Sequence, residues 1–408
     1  MNDYIKETDT LLSITERYPE TIDVFVANGF PQMETPAKRK SLGGAITFQM
    51  AMMSKKKNAK IFLEMLNETI KQKSEMASED GEDITDASNS VDIAGVLPCP
   101  VKLPLMEGFK TFSKEYFKSN GTGINYRLKS ASGGISWLED EVRNAVDESE
   151  IPDLFLSAGF ELFFDNDLIG KYRDKGIFHD MSGLEKFNSC FDGIDLKDPK
   201  GNYSILAGVP AIFLVNNDEL NGRKKPETWD EILSPEFRNS LSLPVEDLDL
   251  FNAVVLTLYK EKGADAITSL GKNLLTSMHP AQMVKSDKKS NEKPAVTVLP
   301  WFFTKMVFPG TPLEVVWPKD GAIVSPVFIA AKKGKEDELK EIVNFFESDG
   351  VGEILRDKGY FPSVNPNINN KIPKENKFRF LGWDFIYNND ITEIINICMT
   401  LFNKAVEE

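Results

Sequence analysis

The spacing of the hydrophobic residues changes near residue 91. In the first 70 residues, apolar side chains recur at helical spacing, as in the segment LLSITERYPETIDVFVANGF. From residue 91 onward, short apolar runs alternate with loops of small residues and amphipathic helices. The runs are Val91–Leu97, Gly123–Leu128 and Asp153–Leu156. This recurrence predicts a parallel β-sheet with crossover helices, in which ligands bind beyond the carboxyl ends of the strands.

Two later stretches carry longer apolar patterns. Residues Tyr203–Val215 form an apolar run that we predict to be a strand passing between two lobes. The stretch Pro312–Gly334 predicts two strands, Leu313–Trp317 and Ala322–Ala331, separated by the polar turn Pro318–Gly321. On local sequence alone, an ordinary buried strand pair is the simpler interpretation, and a turn that contacts a ligand is the alternative.

A polar, acidic segment of small residues covers residues 71–90, and its composition predicts a linker. We therefore predict a small all-α domain over residues 1–70 and a two-lobed α/β domain over residues 91–408. The first lobe is expected to contain about residues 91–205 and 326–408, and the second about residues 215–322.

Composition and charge exclude several classes of function. The chain of 408 residues has a formal net charge of −15, which disfavours binding to nucleic acid or to an anionic membrane surface. Its three cysteines are far apart, and only two histidines occur, so neither a zinc site nor a disulfide framework is predicted. The first residues do not resemble a secretory signal, and no apolar stretch predicts a membrane span, so we expect a cytoplasmic protein unless the start is not native.

No sequence motif for nucleotide binding, zinc hydrolysis or serine hydrolysis is present. Two loops of small residues follow neighbouring predicted strands: Ser132, Gly133 and Gly134 in one, and Ser157, Ala158 and Gly159 in the other. Hydroxyl and backbone N–H groups in such loops bind anions at helix N-termini, although tight turns between strand and helix have the same composition.

Two further features have competing interpretations. The acidic residues Glu246, Asp247 and Asp249 precede a predicted helix, where they cap the helix or, alternatively, face a cationic ligand. Trp301 follows a predicted buried strand, so it either belongs to the core or forms the wall of a pocket.

Taken together, the segments SGG, PDLFLSAGF, PETWDEILSPEFR, AVTVLPWFF and VVWPKDGAIVSPVFIAAKKG resemble the substrate-binding proteins of ABC transporters. The resemblance is to the type-two periplasmic-binding fold, in the branch that binds iron, thiamine, polyamines or phosphonates. It implies two α/β lobes joined by two crossover strands, with closure by a hinge motion over the solute. The first 70 residues resemble a small helical domain of unknown function found in anaerobes.

The resemblance implies non-catalytic binding of a small polar solute, which the two small-residue loops suggest is anionic. No catalytic residue, cofactor or metal is expected, and the chain lacks the adjacent tyrosine pair of ferric-ion binders. Lys102 is the predicted charge partner of the solute. The other predicted ligand residues are Pro98, Cys99, Ser132, Gly133, Gly134, Ser157, Ala158, Gly159, Glu246, Trp301, Asp320 and Gly321.

Two alternatives remain open at this point. The chain could be a ligand sensor or interaction protein in which residues 1–70 recruit a transporter or a redox partner. It could also be an enzyme on the same scaffold, for which Glu246, Asp247 and His279 are the candidate acids and bases.

Overall fold

The architecture is taken from a computed structural model of the chain. The structure describes residues 4–408, with the exception of several internal segments. These are residues 20, 28–29, 34, 55–58, 60–61, 64–65, 68–69, 71–81, 84–88, 132–133, 246–247, 278–292 and 308–309. The described residues form two compact units, of which the first contains those up to residue 70 and the second contains most of the rest.

The first unit is a small helical bundle with its own aromatic core. The Phe62 ring packs against Phe25 and Phe48, with ring centroids 5.5 and 5.8 Å apart. Thr10 caps the first helix by accepting a hydrogen bond from the Ser13 backbone N–H. The helices run over Leu11–Arg17, Thr21–Ala27, Pro36–Lys38 and Phe48–Ser54.

The second unit is built on one mixed sheet. Its strands are β1 Glu82–Asp83, β2 Ser90–Leu97, β3 Gly123–Ser130, β4 Leu154–Ala158, β5 Phe178–His179, β6 Tyr203–Asn216, β7 Leu241–Leu243, β8 Leu274–Ser277, β9 Val296–Pro300, β10 Leu313–Val316, β11 Ala322–Lys332 and β12 Phe378–Arg379. Along the sheet the order is β1-β3-β2-β4-β11-β6-β9-β7-β8. β10 and β5 also pair with β6 and β11, respectively.

Helices cover this sheet. They run over Cys99–Asn120, Ser136–Asn144, Glu161–Phe164, Gly170–Arg173, Trp229–Leu233, Leu248–Lys262, Ala264–Asn273, Glu336–Phe346, Asp349–Ile354, Trp383–Asn388 and Ile391–Glu407. None of the helices among the described residues is both long and apolar enough to cross a bilayer.

The long strands β6 and β11 are shared by two groups of strands. All 14 residues of β6 are buried, and so are all residues of β11 except Lys332, as expected for strands covered on both faces. The C-terminal half of β11 pairs with β4, which lies next to β2 and β3, and we call this group the first lobe. The other half of β6 pairs with β9, next to β7, and we call this group the second lobe. The predicted two-lobed fold with two crossover strands is confirmed.

The prolines at positions 98, 100 and 104 predict a loop over residues 98–104, and this prediction is wrong, because the helix begins at Cys99. Pro98 occupies the N-cap, and Pro100 lies in the first turn, where a missing backbone N–H costs nothing. Pro104 lies inside the same helix. The predicted strand pair before Gly334 also differs in its pairing: β10 and β11 both pair with β6 rather than with each other.

Candidate functional site

The register of the sheet brings the carboxyl ends of strands from both lobes to one place. The last residue of β4, Ala158, lies opposite Val327 of β11. The last residue of β9, Pro300, lies opposite Ala211 of β6. β2 and β3 run parallel to β4, and β7 runs parallel to β9. The loops that follow these strands therefore meet at the middle of the crossover, which is the candidate site.

The lobes come into close contact at this site between Gly159 and Asp249. Gly159 follows β4 with a φ of +87°, and its backbone N–H donates to the Pro326 carbonyl at 3.1 Å. A Cβ at this position would lie 2.3 Å from Asp249 Oδ1, so only glycine admits the carboxylate. Asp249 is in the first turn of the Leu248–Lys262 helix. The end of β4, in the first lobe, thus meets the N-terminus of the Leu248–Lys262 helix, which follows β7 in the second lobe.

Two further oxygen-bearing side chains join the same two elements. Glu161 opens the short helix after β4, and its pKa is raised by burial, with a smaller contribution from the negative charge of Glu139. A hydrogen bond with the Asn252 side chain opposes this shift. Asn252 lies one helical turn after Asp249 and is 2% exposed, yet its Oδ1 atom has no hydrogen-bond partner among the residues that the structure describes. We call Glu161, Asp249 and Asn252 the acceptor group.

An aromatic group lies at the end of β9. The Trp301 ring packs against Tyr360, with centroids 4.8 Å apart, and against Trp317 at 5.4 Å. Trp301 is only partly buried, which fits the predicted position at a pocket wall. Whether it contacts a solute stays a prediction.

The residues predicted at the ends of β2 and β3 come together. The Cys99 Sγ atom lies 3.2 Å from Ser130 Oγ, so the start of the Cys99–Asn120 helix touches the last residue of β3. Pro98 is the N-cap of that helix, and Lys102 is 6% exposed in its first turn. Gly134 has a φ of +76° and is exposed.

The other predicted ligand residues have varied surroundings. Ser157 is fully buried and its hydroxyl donates to the carbonyl of Ala158 at 3.2 Å. Asp320 accepts the Trp229 backbone N–H at 3.0 Å, and Gly321 accepts the Trp229 indole N–H at 2.9 Å. Burial raises the pKa of Asp320. Ser132, Gly133, Glu246, Asp247 and His279 lie outside the described residues.

The sequence analysis missed Glu161 and Asn252, and it interpreted Asp249, with Glu246 and Asp247, as a capping residue or, alternatively, as a carboxylate facing a cationic ligand. A usable signal was present, because Asp249 and Asn252 are three residues apart and so share one face of a helix near its N-terminus. Glu161 follows the predicted loop Ser157–Gly159 by two residues. Their proximity across the lobes depends on the register of the sheet, which the sequence does not reveal.

Comparison with known families identifies the class of the chain. Residues 149–389, more than half of the chain, match the family described as bacterial extracellular solute-binding protein. The chain belongs to this family. Residues 5–63 match a domain of unknown function, which agrees with the helical unit at the N-terminus.

Among individual proteins, this chain is similar to spermidine/putrescine-binding periplasmic proteins. It is 30% identical to the protein from Salmonella typhimurium over 214 residues, which cover 48% of this chain and 61% of the relative. It is 28% identical to the Escherichia coli protein with the same coverage. The match therefore spans about three fifths of the length of these relatives.

Solved structures show the same fold at low sequence identity. A ferric binding protein from Campylobacter jejuni has a TM-score of 0.51 at 14% identity, covering 77% of this chain and 99% of that structure. A Trichodesmium protein in complex with iron and citrate has a TM-score of 0.53 at 9% identity, with the same coverage. At these identities the similarity concerns the fold alone.

Proposed function

We propose that this protein binds a small organic cation, rich in N–H donors, between its two lobes and without chemical conversion. The observation that carries the proposal is the acceptor group. Glu161 of the first lobe is hydrogen-bonded to Asn252 of the helix after β7, Asp249 of that helix lies against Gly159, and among the described residues the buried Asn252 Oδ1 atom has no hydrogen-bond partner. A buried amide oxygen without a donor is costly, and an ammonium group would supply a donor to Asn252 Oδ1.

The relatives support a cation rather than the anion that the small-residue loops suggested. The curated relatives bind spermidine and putrescine according to their names. The described part of the small-residue loops offers little to an anion, because the Ser157 hydroxyl is buried and donates to a neighbouring carbonyl. Among the described residues no cluster of three or more His, Cys, Asp or Glu side chains is arranged to hold a metal ion, which favours an organic cation.

Family membership also bears on partners and location. The family is described as extracellular, and the relatives as periplasmic. We therefore propose that closure over the solute prepares the protein for a membrane transporter. Residues 1–70, as a separate helical unit, are proposed to recruit a partner of their own. The predicted cytoplasmic location, the domain boundaries and a redox partner stay predictions.

Calorimetric titration with spermidine tests the proposed function. We expect saturable binding, weakened about tenfold or more by Asp249→Asn, because that change removes one charge from the acceptor group. Binding should also weaken as the pH falls through the raised pKa of Glu161, since protonation removes a second negative charge. Asp265→Asn is the matched control, because Asp265 is an exposed first-turn aspartate on the neighbouring Ala264–Asn273 helix.

Two results would contradict the proposal. One is equal spermidine affinity in the wild type and in Asp249→Asn. The other is a titration in which spermidine and putrescine give no heat of binding but citrate or phosphate does, which would support an anionic solute instead.

A further inference from the structure

Tyr360 has an unusual backbone conformation at the crossover. It follows the turn Leu355–Gly359 with a φ of +51° and a ψ of 36°, the left-handed region that residues other than glycine rarely occupy. Such a conformation persists where surrounding contacts hold the residue in place. The contacts of its side chain are therefore informative.

Two residues that follow β9 hold the Tyr360 ring. Trp301 packs against it at 4.8 Å between centroids, and the Lys305 ammonium lies 4.0 Å from the ring centroid. The same ammonium donates to the carbonyls of Asp357 at 2.7 Å and Lys358 at 3.0 Å. Lys305 thus combines two charge-assisted hydrogen bonds with a cation–π contact.

These contacts join the two lobes. Trp301 and Lys305 follow β9, a strand of the second lobe. The Tyr360 segment packs against the first lobe, because a Cβ on the neighbouring Gly359 would lie 2.8 Å from Val101 of the Cys99–Asn120 helix. Opening of the lobes must therefore separate Lys305 and Trp301 from the Tyr360 segment.

We propose that Trp301, Lys305 and Tyr360 form an interlobe clasp that slows the opening of the two lobes. The clasp is a conformational device distinct from the acceptor group, and its existence does not depend on the identity of the solute. The two carbonyls that Lys305 binds are main-chain groups, and the Asp357 carboxylate is bound by Arg356 and Lys371. Lys305 is the residue whose removal breaks the clasp with least damage to the core, because its side chain is at the surface.

Hydrogen–deuterium exchange of the full chain, without any solute, tests the clasp. The reporters are the amides of Gly208 and Val364, which bond to Pro362 and Leu206 beside the clasp. We expect Lys305→Met to speed their exchange by roughly threefold or more, while the amides of β3 exchange as before. Tyr360→Leu, which removes the ring but keeps an apolar side chain, should act in the same direction.

Lys358→Met is the matched control, because it removes an exposed lysine side chain and leaves the carbonyl that Lys305 binds. This variant should exchange like the wild type. The clasp is overturned if Lys305→Met exchanges like the wild type at both reporters, or if Lys358→Met speeds exchange as much. Since no solute is present, these outcomes are independent of the titration with spermidine.

Discussion

Glu347 is a carboxyl group whose surroundings oppose its ionisation. Its pKa is raised to about 7, chiefly by burial and then by the nearby Asp180 carboxylate, against the opposing effect of Lys197. Its Oε1 atom is buried, and no described residue forms a hydrogen bond with it. The folded state therefore favours the protonated form, and the unfolded state ionises at lower pH.

The sign of the resulting pH dependence follows from linkage. Because the folded pKa is raised, the stabilisation is fully present below the unfolded value near 4.5 and is lost as the pH rises to about 7. We expect Glu347→Gln to remove this loss, which amounts to roughly 3 kcal/mol at most. Urea unfolding of the wild type and of Glu347→Gln at pH 5 and pH 8 measures this loss of stability. Exposed Glu185→Gln is the control, and an unchanged pH dependence in Glu347→Gln would contradict the account.

At the scale of single elements, Gly95 allows β2 to pair closely with β4. It lies opposite Leu156 in the parallel pair, and a Cβ there would come within 2.0 Å of the Leu156 carbonyl oxygen. We expect Gly95→Ala to lower the free energy of unfolding by about 1–3 kcal/mol or more, because the two strands must separate. Urea denaturation is the measurement.

Gly350→Ala serves as the comparison for Gly95→Ala. Gly350 lies in the Asp349–Ile354 helix, and a Cβ there meets no atom within 4 Å. Alanine should be neutral or stabilising at this position by about 0.5–1 kcal/mol, owing to its helix propensity. Equal destabilisation by the two substitutions would show that the close contact between Gly95 and Leu156 is not the cause of the lower stability.

The elements show which parts of the fold the sequence could predict. Apolar runs placed β2, β6 and β11 correctly to within a few residues, because burial on both faces leaves a continuous hydrophobic signature. β3, whose burial alternates along the strand, was also placed to within a few residues. The start of the Cys99–Asn120 helix was missed, because prolines 98, 100 and 104 resemble a loop when the capping geometry is unknown.

The site was less predictable than the fold. Gly159 was singled out from its loop, but Asp249, which it contacts, lies 90 residues later in the chain. Only the pairing of β4 with β11 and the position of the Leu248–Lys262 helix bring the two together. In the same way, nothing in the local sequence connects Lys305 with Tyr360. Contacts across the lobes are long-range and follow from the sheet register rather than from periodicity.

At the scale of the whole second unit, the crossover strands β6 and β11 join the two lobes, and we propose that they connect solute binding to movement of the lobes. The acceptor group lies at one part of the crossover, with Asp249 against Gly159, and the interlobe clasp lies at another, with Tyr360 against Trp301. A solute that bridges Glu161 and Asp249 would favour the closed arrangement, because it contacts both lobes at once. The clasp would then set how fast the closed arrangement opens.

The most direct test of the central claim is native mass spectrometry of the full chain purified gently from its own host, followed by identification of the small molecule released on denaturation. The account predicts one stoichiometric organic amine, lost from Asp249→Asn but kept by Asp265→Asn. A stoichiometric anion such as citrate, or an amine retained equally by both variants, would contradict it.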